Sequence, residues 1–170
     1  AAIDPIDPRG FRNVGELVPT FRAFPDEGLE LVVDCLNAGM NQEATLLLDQ
    51  MPVQSPMVAY YRGWLALRMN QAATAKAHFE RAAKMALDLV FPWQRESLPA
   101  LKAAMELNPA DPRPPYLMGL YLYDRQPAEA VKLWQEALKR DPNMALAHRN
   151  LAVAWSTDEK TVPQATAELE

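Results

Sequence analysis

Pro115-Tyr-Leu-Met-Gly-Leu-Tyr-Leu-Tyr123, followed after a short polar break by Ala128-Glu-Ala-Val-Lys-Leu-Trp-Gln-Glu-Ala-Leu-Lys-Arg-Asp-Pro-Asn143, is the stretch that decides the fold. Its apolar residues recur at helical spacing in two runs. A glycine in mid-helix costs about 1 kcal/mol relative to alanine, so Gly119 needs a packing reason, and the close approach of a second helix supplies one. The residues that follow have the sizes such a crossing requires. Ala130, Trp134 and Ala137 stand 11, 15 and 18 positions after Gly119, with small side chains where helices touch and a bulky one on the same face a turn away.

The same order occurs upstream. Gly63 is followed by Ala75, Phe79 and Ala82, at 12, 16 and 19 positions. The difference of one residue places a deletion in the turn around 124–127. A weaker copy runs from Val32 through Ala44 to Leu48, and a fourth begins at His148-Arg-Asn-Leu-Ala152 and reaches Trp155 and Ala165. Internal periodicity of this kind signals stacked helix hairpins, each burying its apolar side on its neighbours. The spacing predicts that Gly63 and Ala75, or Gly119 and Ala130, mark a crossing, and that Phe79, Trp134 and Leu48 plug into the next hairpin. Phe79, Trp134 and Trp155 are expected in the core.

This small–aromatic–Ala–Pro order resembles the tetratricopeptide repeat, and the stretch quoted first lies close to that family's consensus. The resemblance implies an all-α fold, a right-handed superhelical solenoid of antiparallel helix hairpins. A narrower likeness rests on Val90-Phe-Pro-Trp-Gln-Arg-Glu96, Leu107-Asn-Pro109, Pro115-Tyr-Leu-Met-Gly119, Leu122-Tyr-Asp-Arg125 and Ala147-His-Arg-Asn-Leu-Ala152, together with Ile3-Asp-Pro-Ile-Asp-Pro8 at the start. These segments resemble bacterial proteins in which such repeats accompany a mutarotase-like domain of unknown function. That likeness implies carbohydrate-related work for the parent protein and assigns no activity to any residue here.

Helices are expected near 26–38, 41–50, 56–68, 72–89, 94–107, 113–124, 127–140, 145–156 and 162–170. Pro25, Pro56 after Ser55, and Pro112 after Asp111 mark helix starts, where a missing N–H is harmless. Turns fall at Asn37-Ala-Gly39 and Asn70-Gln71. Residues 1–24 hold Pro5, Pro8, Gly10, Gly15 and Pro19, too many breakers for a long helix, and read as an extended segment or linker. Residues 25–170 read as one repeat domain, with units near 25–55, 56–90, 112–144 and 145–170. The extra helix 94–107 has the spacing of a second repeat helix (Leu101, Ala104, Pro109) without a first, and Pro99 either starts it late or kinks it.

Composition narrows the function. Seventeen basic against 22 acidic residues leave a net charge of −5 across 170 residues, which argues against a phosphate-backbone surface, so no nucleic acid is expected. No apolar run approaches the roughly 18–20 residues that span a bilayer, so no membrane partner is expected either. Cys35 is the only cysteine and reads as a small, buried hydrophobe. A chain without an intrachain disulfide points away from an oxidising compartment, and a cytoplasmic location is the expectation. The start at Ala1 and the stop at Glu170 within a helical pattern lead us to expect a piece of a longer protein.

Catalytic and metal readings find little support. His78 and His148, the only histidines, lack companion ligands at a supporting spacing and read as structural. Asp4 with Asp7, Asp26 with Glu27 and Asp158 with Glu159 are paired acids that fit turns and first helical turns better than a glycosidase pair. Glycine-rich phosphate loops, G-x-S-x-G and H-E-x-x-H are absent from the sequence, and no cofactor is expected. The expectation is a non-catalytic interaction or scaffold module that binds a protein, a peptide or another domain of its parent. The alternative is an accessory helical domain of a carbohydrate-active or carbohydrate-binding protein, for which Trp64 and Trp93 would supply stacking rings.

On the tetratricopeptide resemblance, one face of each first helix lines the partner groove. It would carry Tyr60, Trp64, Arg68, Tyr116, Tyr123, Arg149 and Asn150, types enriched at interface hot spots in the case of Tyr, Trp and Arg. Arg149 and Asn150 match part of the clamp with which some family members hold a chaperone tail. Leu29 and Tyr60 stand where that clamp has lysine, which argues against the same ligand. Trp93 is expected to pin the loop joining two helices.

Overall fold

Short breaks and paired apolar stripes make the chain fold back on itself repeatedly. The structure, a computed structural model, describes residues 25–51, 55–156 and 161–168 together with Pro19. Otherwise the segment 1–24 lies outside these. Nine helices stand among the described residues and no strand: α1 Pro25–Asn37, α2 Asn41–Gln50, α3 Pro56–Arg68, α4 Ala72–Ala82, α5 Ser97–Leu107, α6 Arg113–Leu122, α7 Pro127–Arg140, α8 Ala145–Trp155 and α9 Val162–Ala167. Consecutive helices α1–α2, α3–α4, α6–α7 and α8–α9 pack as hairpins, antiparallel because their connections are short. The fold is an all-α stack of such hairpins.

Two of the turns are built alike. After α1, Gly39 adopts φ +76°, and the N–H groups of Gly39 and Met40 return to the carbonyls of Leu36 and Cys35 at 3.2 and 2.8 Å. After α3, Asn70 takes φ 60°, and the N–H groups of Asn70 and Gln71 return to Leu67 and Ala66 at 2.9 and 2.8 Å. Both close the last helical turn with a left-handed residue, glycine in one and asparagine in the other, the two types that reach this region most easily. At the opposite ends, Ser55 Oγ accepts from Val58 N–H at 3.5 Å, as its capping role requires. Asp111 Oδ1 accepts from Arg113 N–H at 3.0 Å, and α6 starts at Arg113 as expected, with Pro112 immediately before it.

The glycines sit at the crossings. A Cβ on Gly63 would lie 2.3 Å from Phe79 Cε1, and one on Gly119 would lie 2.3 Å from Trp134 Nε1. Phe79 and Trp134 are buried, and the Trp134 indole N–H donates to Tyr116 O at 3.2 Å. These rings therefore press on the glycine of their own hairpin. The expectation that they plug into the next one is corrected. In an antiparallel pair, the residue one turn beyond the small alanine comes level with the glycine. Trp155, expected in the core, is only half-buried at the α8 end.

The interruption between α4 and α5 differs from expectation. Helix α4 ends at Ala82, well short of 89, and residues 83–96 carry no helix. Met85, Leu87 and Val90 pack irregularly on the core, and Leu89 holds a left-handed φ of 57°, which no continuing helix permits. Helix α5 begins at Ser97, so Pro99 occupies its first turn, neither kinking it nor starting it. There its missing N–H is one that a helix leaves unpaired in any case. With no first helix of its own, α5 packs mainly on α3 and α6 and only slightly on α4.

Candidate functional site

The residues expected to line one groove fall into distinct environments. Tyr60 is fully buried, and its hydroxyl donates to Asp111 Oδ2 at 3.0 Å. Asp111 is itself buried and held by Arg113 through its backbone N–H and by Nη1 at 3.3 Å. Arg140 Nη1 donates to the Asp111 carbonyl at 2.9 Å. Burial, with the Asp111 charge beside it, pushes the Tyr60 phenol far up from its ordinary range, so it stays a neutral donor. This network ties α3 to the start of α6 and to α7. Tyr60 presents no surface to a partner, and its place as a groove contact is corrected to that of an internal tie.

Trp64 and Arg68 stay together, with the Arg68 guanidinium 5.3 Å above the Trp64 ring. Arg68 Nη2 also donates to Leu36 O at 3.4 Å, next to the end of α1. Tyr61, which sequence reasoning passed over, lies 6.2 Å from Trp64 between ring centroids. Its hydroxyl donates to Gln94 Oε1 at 3.1 Å and shares a 3.2 Å hydrogen bond with Ser97 Oγ. Tyr123 packs against Trp134 at 5.2 Å between centroids and is half-buried.

Tyr116, Arg149 and Asn150 form a second group. Tyr116 is 3% and Asn150 8% exposed, whereas Arg149 is open to solvent. Asn150 Oδ1 accepts from Arg149 Nε and Nη2 at 3.4 and 3.3 Å. Burial pushes the Tyr116 phenol up, while the Arg149 charge and the Asn150 amide pull the other way. The Asn150 amide Nδ2 is buried beside the Tyr116 phenol and makes no hydrogen bond of full geometry, and a buried donor left unpaired costs about 1–3 kcal/mol. The helix register shows why this is unusual. Counted from the crossing residues Gly63, Gly119 and Ala152, Asn150 holds the place of Tyr61 in α3 and Leu117 in α6, both fully buried. In α8 the same interior place carries an amide with donor capacity to spare.

The remaining aromatics and titratable groups have identifiable surroundings. Pro92 is buried and holds the 91–93 loop, whereas Trp93 is 49% exposed, so the pinning expected of the tryptophan falls to its neighbour. Cys35 is half-buried against the core, and burial raises its thiol pKa. His148 Nε2 meets the Pro142 carbonyl at 2.8 Å, and Nδ1 meets the Glu168 carboxylate. The carbonyl accepts only, so Nε2 carries a proton, and both contacts raise the imidazole pKa, the carbonyl first. Among the described residues, no cluster of His, Cys, Asp and Glu is arranged to hold a metal ion, and no helix is long and apolar enough to cross a membrane.

No protein-family model matches the sequence, and no curated protein does. Solved structures similar to the chain include a MamA double mutant (22% identity, 85% of this chain and 91% of that one, TM-score 0.42). Another is MamA from residue 41 to its end, from Desulfovibrio magneticus RS-1 (21%, 84% and 89%, TM-score 0.41). A third is YrrB, described as a tetratricopeptide protein with an unusual peptide-binding site (18%, 91% and 89%, TM-score 0.39).

Proposed function

We propose that this chain is a non-catalytic interaction module of tetratricopeptide type, which binds an extended segment of a partner protein, or of another domain of its parent, at Tyr116, Arg149 and Asn150. The observation that carries this reading is the Asn150 amide, in an interior register position with no hydrogen bond of full geometry beside the Tyr116 phenol. Folding alone favours an apolar residue there, as Leu117 shows one hairpin earlier. A partner that offers a carbonyl or carboxylate oxygen would satisfy the amide. The Arg149 guanidinium beside it is exposed and strengthens any contact to a charged acceptor. The stacked hairpins supply a rigid frame for this pair, and preorganised donors lose little freedom on binding.

Peptides selected from a random display library against the chain, measured by calorimetry, test the proposal. Asn150→Leu is expected to weaken the selected peptides by at least about 10-fold, roughly 1.4 kcal/mol, while the melting temperature holds or rises because the orphan donor is gone. Equal affinity in the variant, or no selectable peptide, would remove the reading. The carbohydrate-accessory reading has one observation in its favour, the half-exposed Trp93 ring. An oligosaccharide panel that quenches tryptophan fluorescence, with the response lost in Trp93→Ala, would decide for it.

A further inference from the structure

On the opposite side of α3 from Tyr60 lies a site that the partner surface does not use. Residues two apart on a helix point about 200° apart, so Arg62 faces away from Tyr60. It lines a cavity of about 180 Å³ bounded by Thr45, Asp49, Ala66, Gln71, Thr74 and His78, where α2, α3 and α4 meet. That space suits a few waters or one small polyatomic ion and falls short of the several hundred cubic ångströms typical of larger ligands.

Leu48, Leu65, Ala66 and Met69 make up the apolar part of the wall, and Arg62 is its one guanidinium among the described residues. Arg62 has a side chain only 13% exposed, and its Nη2 donates to Leu48 O at 2.6 Å. Its Nε–H is buried and has no partner. The nearest carboxylate, Asp49 Oδ1, stands 3.9 Å from Nη2 on a side chain 61% exposed, too solvated to neutralise a guanidinium fully. His78, half-buried on α4, has no hydrogen-bond partner on either ring nitrogen among the described residues. Burial lowers its pKa, and the charges of Arg62 and Arg81 lower it further, with Asp49 opposing them. The Arg62 pKa is also lowered, by burial first, with the Asp49 charge opposing and Arg81 adding to the shift. The Arg62 guanidinium thus stands in the cavity wall with donor capacity unspent, and Asp49 is its partly solvated counter-charge.

We propose that this cavity is an oxyanion site: Arg62 and His78 together hold a carboxylate or phosphate group, with the Thr74 hydroxyl and the Gln71 amide at its mouth. An oxyanion offers an acceptor lone pair and negative charge, the two things the unpaired Arg62 Nε–H lacks. A small rotation of the guanidinium brings its unpaired Nε–H to such an oxygen, and the imidazole binds as a donor in its protonated form. Occupation joins α3 and α4 through a single ion, beside the Arg62 bond to Leu48 O in α2. The two possible sources, a free anion and an anionic side chain of a partner, share this chemistry.

Histidine NMR of the 170-residue chain titrated with inorganic phosphate, and separately with a phosphoserine peptide and with acetate, tests the proposal. Saturation is expected to raise the His78 pKa by about one unit, since an opposite charge placed within a few ångströms favours the protonated ring. His148 serves as the internal control and stays where it is. Arg62→Gln should abolish the response, and Arg81→Gln, which leaves the cavity wall intact, should weaken it. Tighter response to the peptide assigns the anion to a partner chain, and equal or tighter response to phosphate or acetate assigns it to a free ion. A His78 that ignores all three probes overturns the proposal. So does a response retained in Arg62→Gln, or in Arg62→Ala should the glutamine variant fold poorly.

Discussion

The hairpins α6–α7 and α8–α9 share one register and differ in what fills it. In α6 the interior place two residues before the crossing is Leu117, the crossing residue is Gly119, and Trp134 closes over it. In α8 the same places carry Asn150 and Ala152, and the residue before the amide is an exposed arginine. Packing explains every choice in the first hairpin. It does not explain Asn150, whose amide is buried at a cost that folding has no reason to accept. Interior hairpins show what the repeat needs in order to stand, and the departure in α8 shows where it does something else.

The largest effect should come from emptying the closed hairpin. Trp134→Ala removes a buried ring and the indole bond to Tyr116 and is expected to destabilise the chain by about 3–5 kcal/mol in urea denaturation. A midpoint indistinguishable from the parent would place Trp134 outside the core and erase the contrast with α8. A smaller loss follows from cutting the tie between hairpins. Tyr60→Phe leaves Asp111 Oδ2 without its buried donor, an expected cost of about 1–3 kcal/mol. Because Arg113 stays paired to Oδ1, the effect should fall toward the lower end, and a gain in stability would show that the network costs more than it supplies.

The mildest effect sharpens the other half of the comparison. The His148 pKa is raised in the folded state above its ordinary value of 6.5. The sign follows from linkage: the stabilisation is fully present below the unfolded value and is lost as pH rises through the higher folded one. Amide protection factors in α9, which remove the intrinsic pH dependence of exchange, should therefore fall as pH climbs through that window, while those in α7 hold. Glu168→Gln should flatten the dependence, because the carboxylate is one of the two contacts that hold the proton. Protection factors in α9 that do not vary with pH would detach His148 from the docking of that helix.

Much of this architecture was legible from residue size and spacing. Gly63, Gly119 and the rings sixteen and fifteen positions later were enough to place the crossings, since a glycine in mid-helix has few reasons to be there. The two αL turns could be read from Asn37-Ala-Gly39 and Asn70, where the chemistry is local. What escaped depended on contacts across long stretches of chain. Helix α4 stops at Ala82 because 83–96 spreads its apolar residues over the core, and nothing in Met85-Ala-Leu-Asp-Leu89 forbids a helix on its own. Tyr60 looked like a surface anchor, because a tyrosine on a first helix gives no local sign that Asp111, 51 residues on, will cover it. Asn150 was visible as a residue type, but its missing partner was not. Arg62 and His78 were legible separately, and only the meeting of three helices brings them to one cavity.

A double-mutant cycle at Gly119 and Trp134 tests the central claim most directly. Gly119→Ala alone should destabilise the chain, because its Cβ would meet Trp134 Nε1 at 2.3 Å. Once Trp134 is replaced by alanine, that Cβ enters vacated space. The double variant is therefore expected to be more stable than the sum of the single losses predicts, by about 1–3 kcal/mol. Additive losses, within about 0.5 kcal/mol, would mean that the ring and the glycine do not meet, and the hairpin stack described here would lose its foundation.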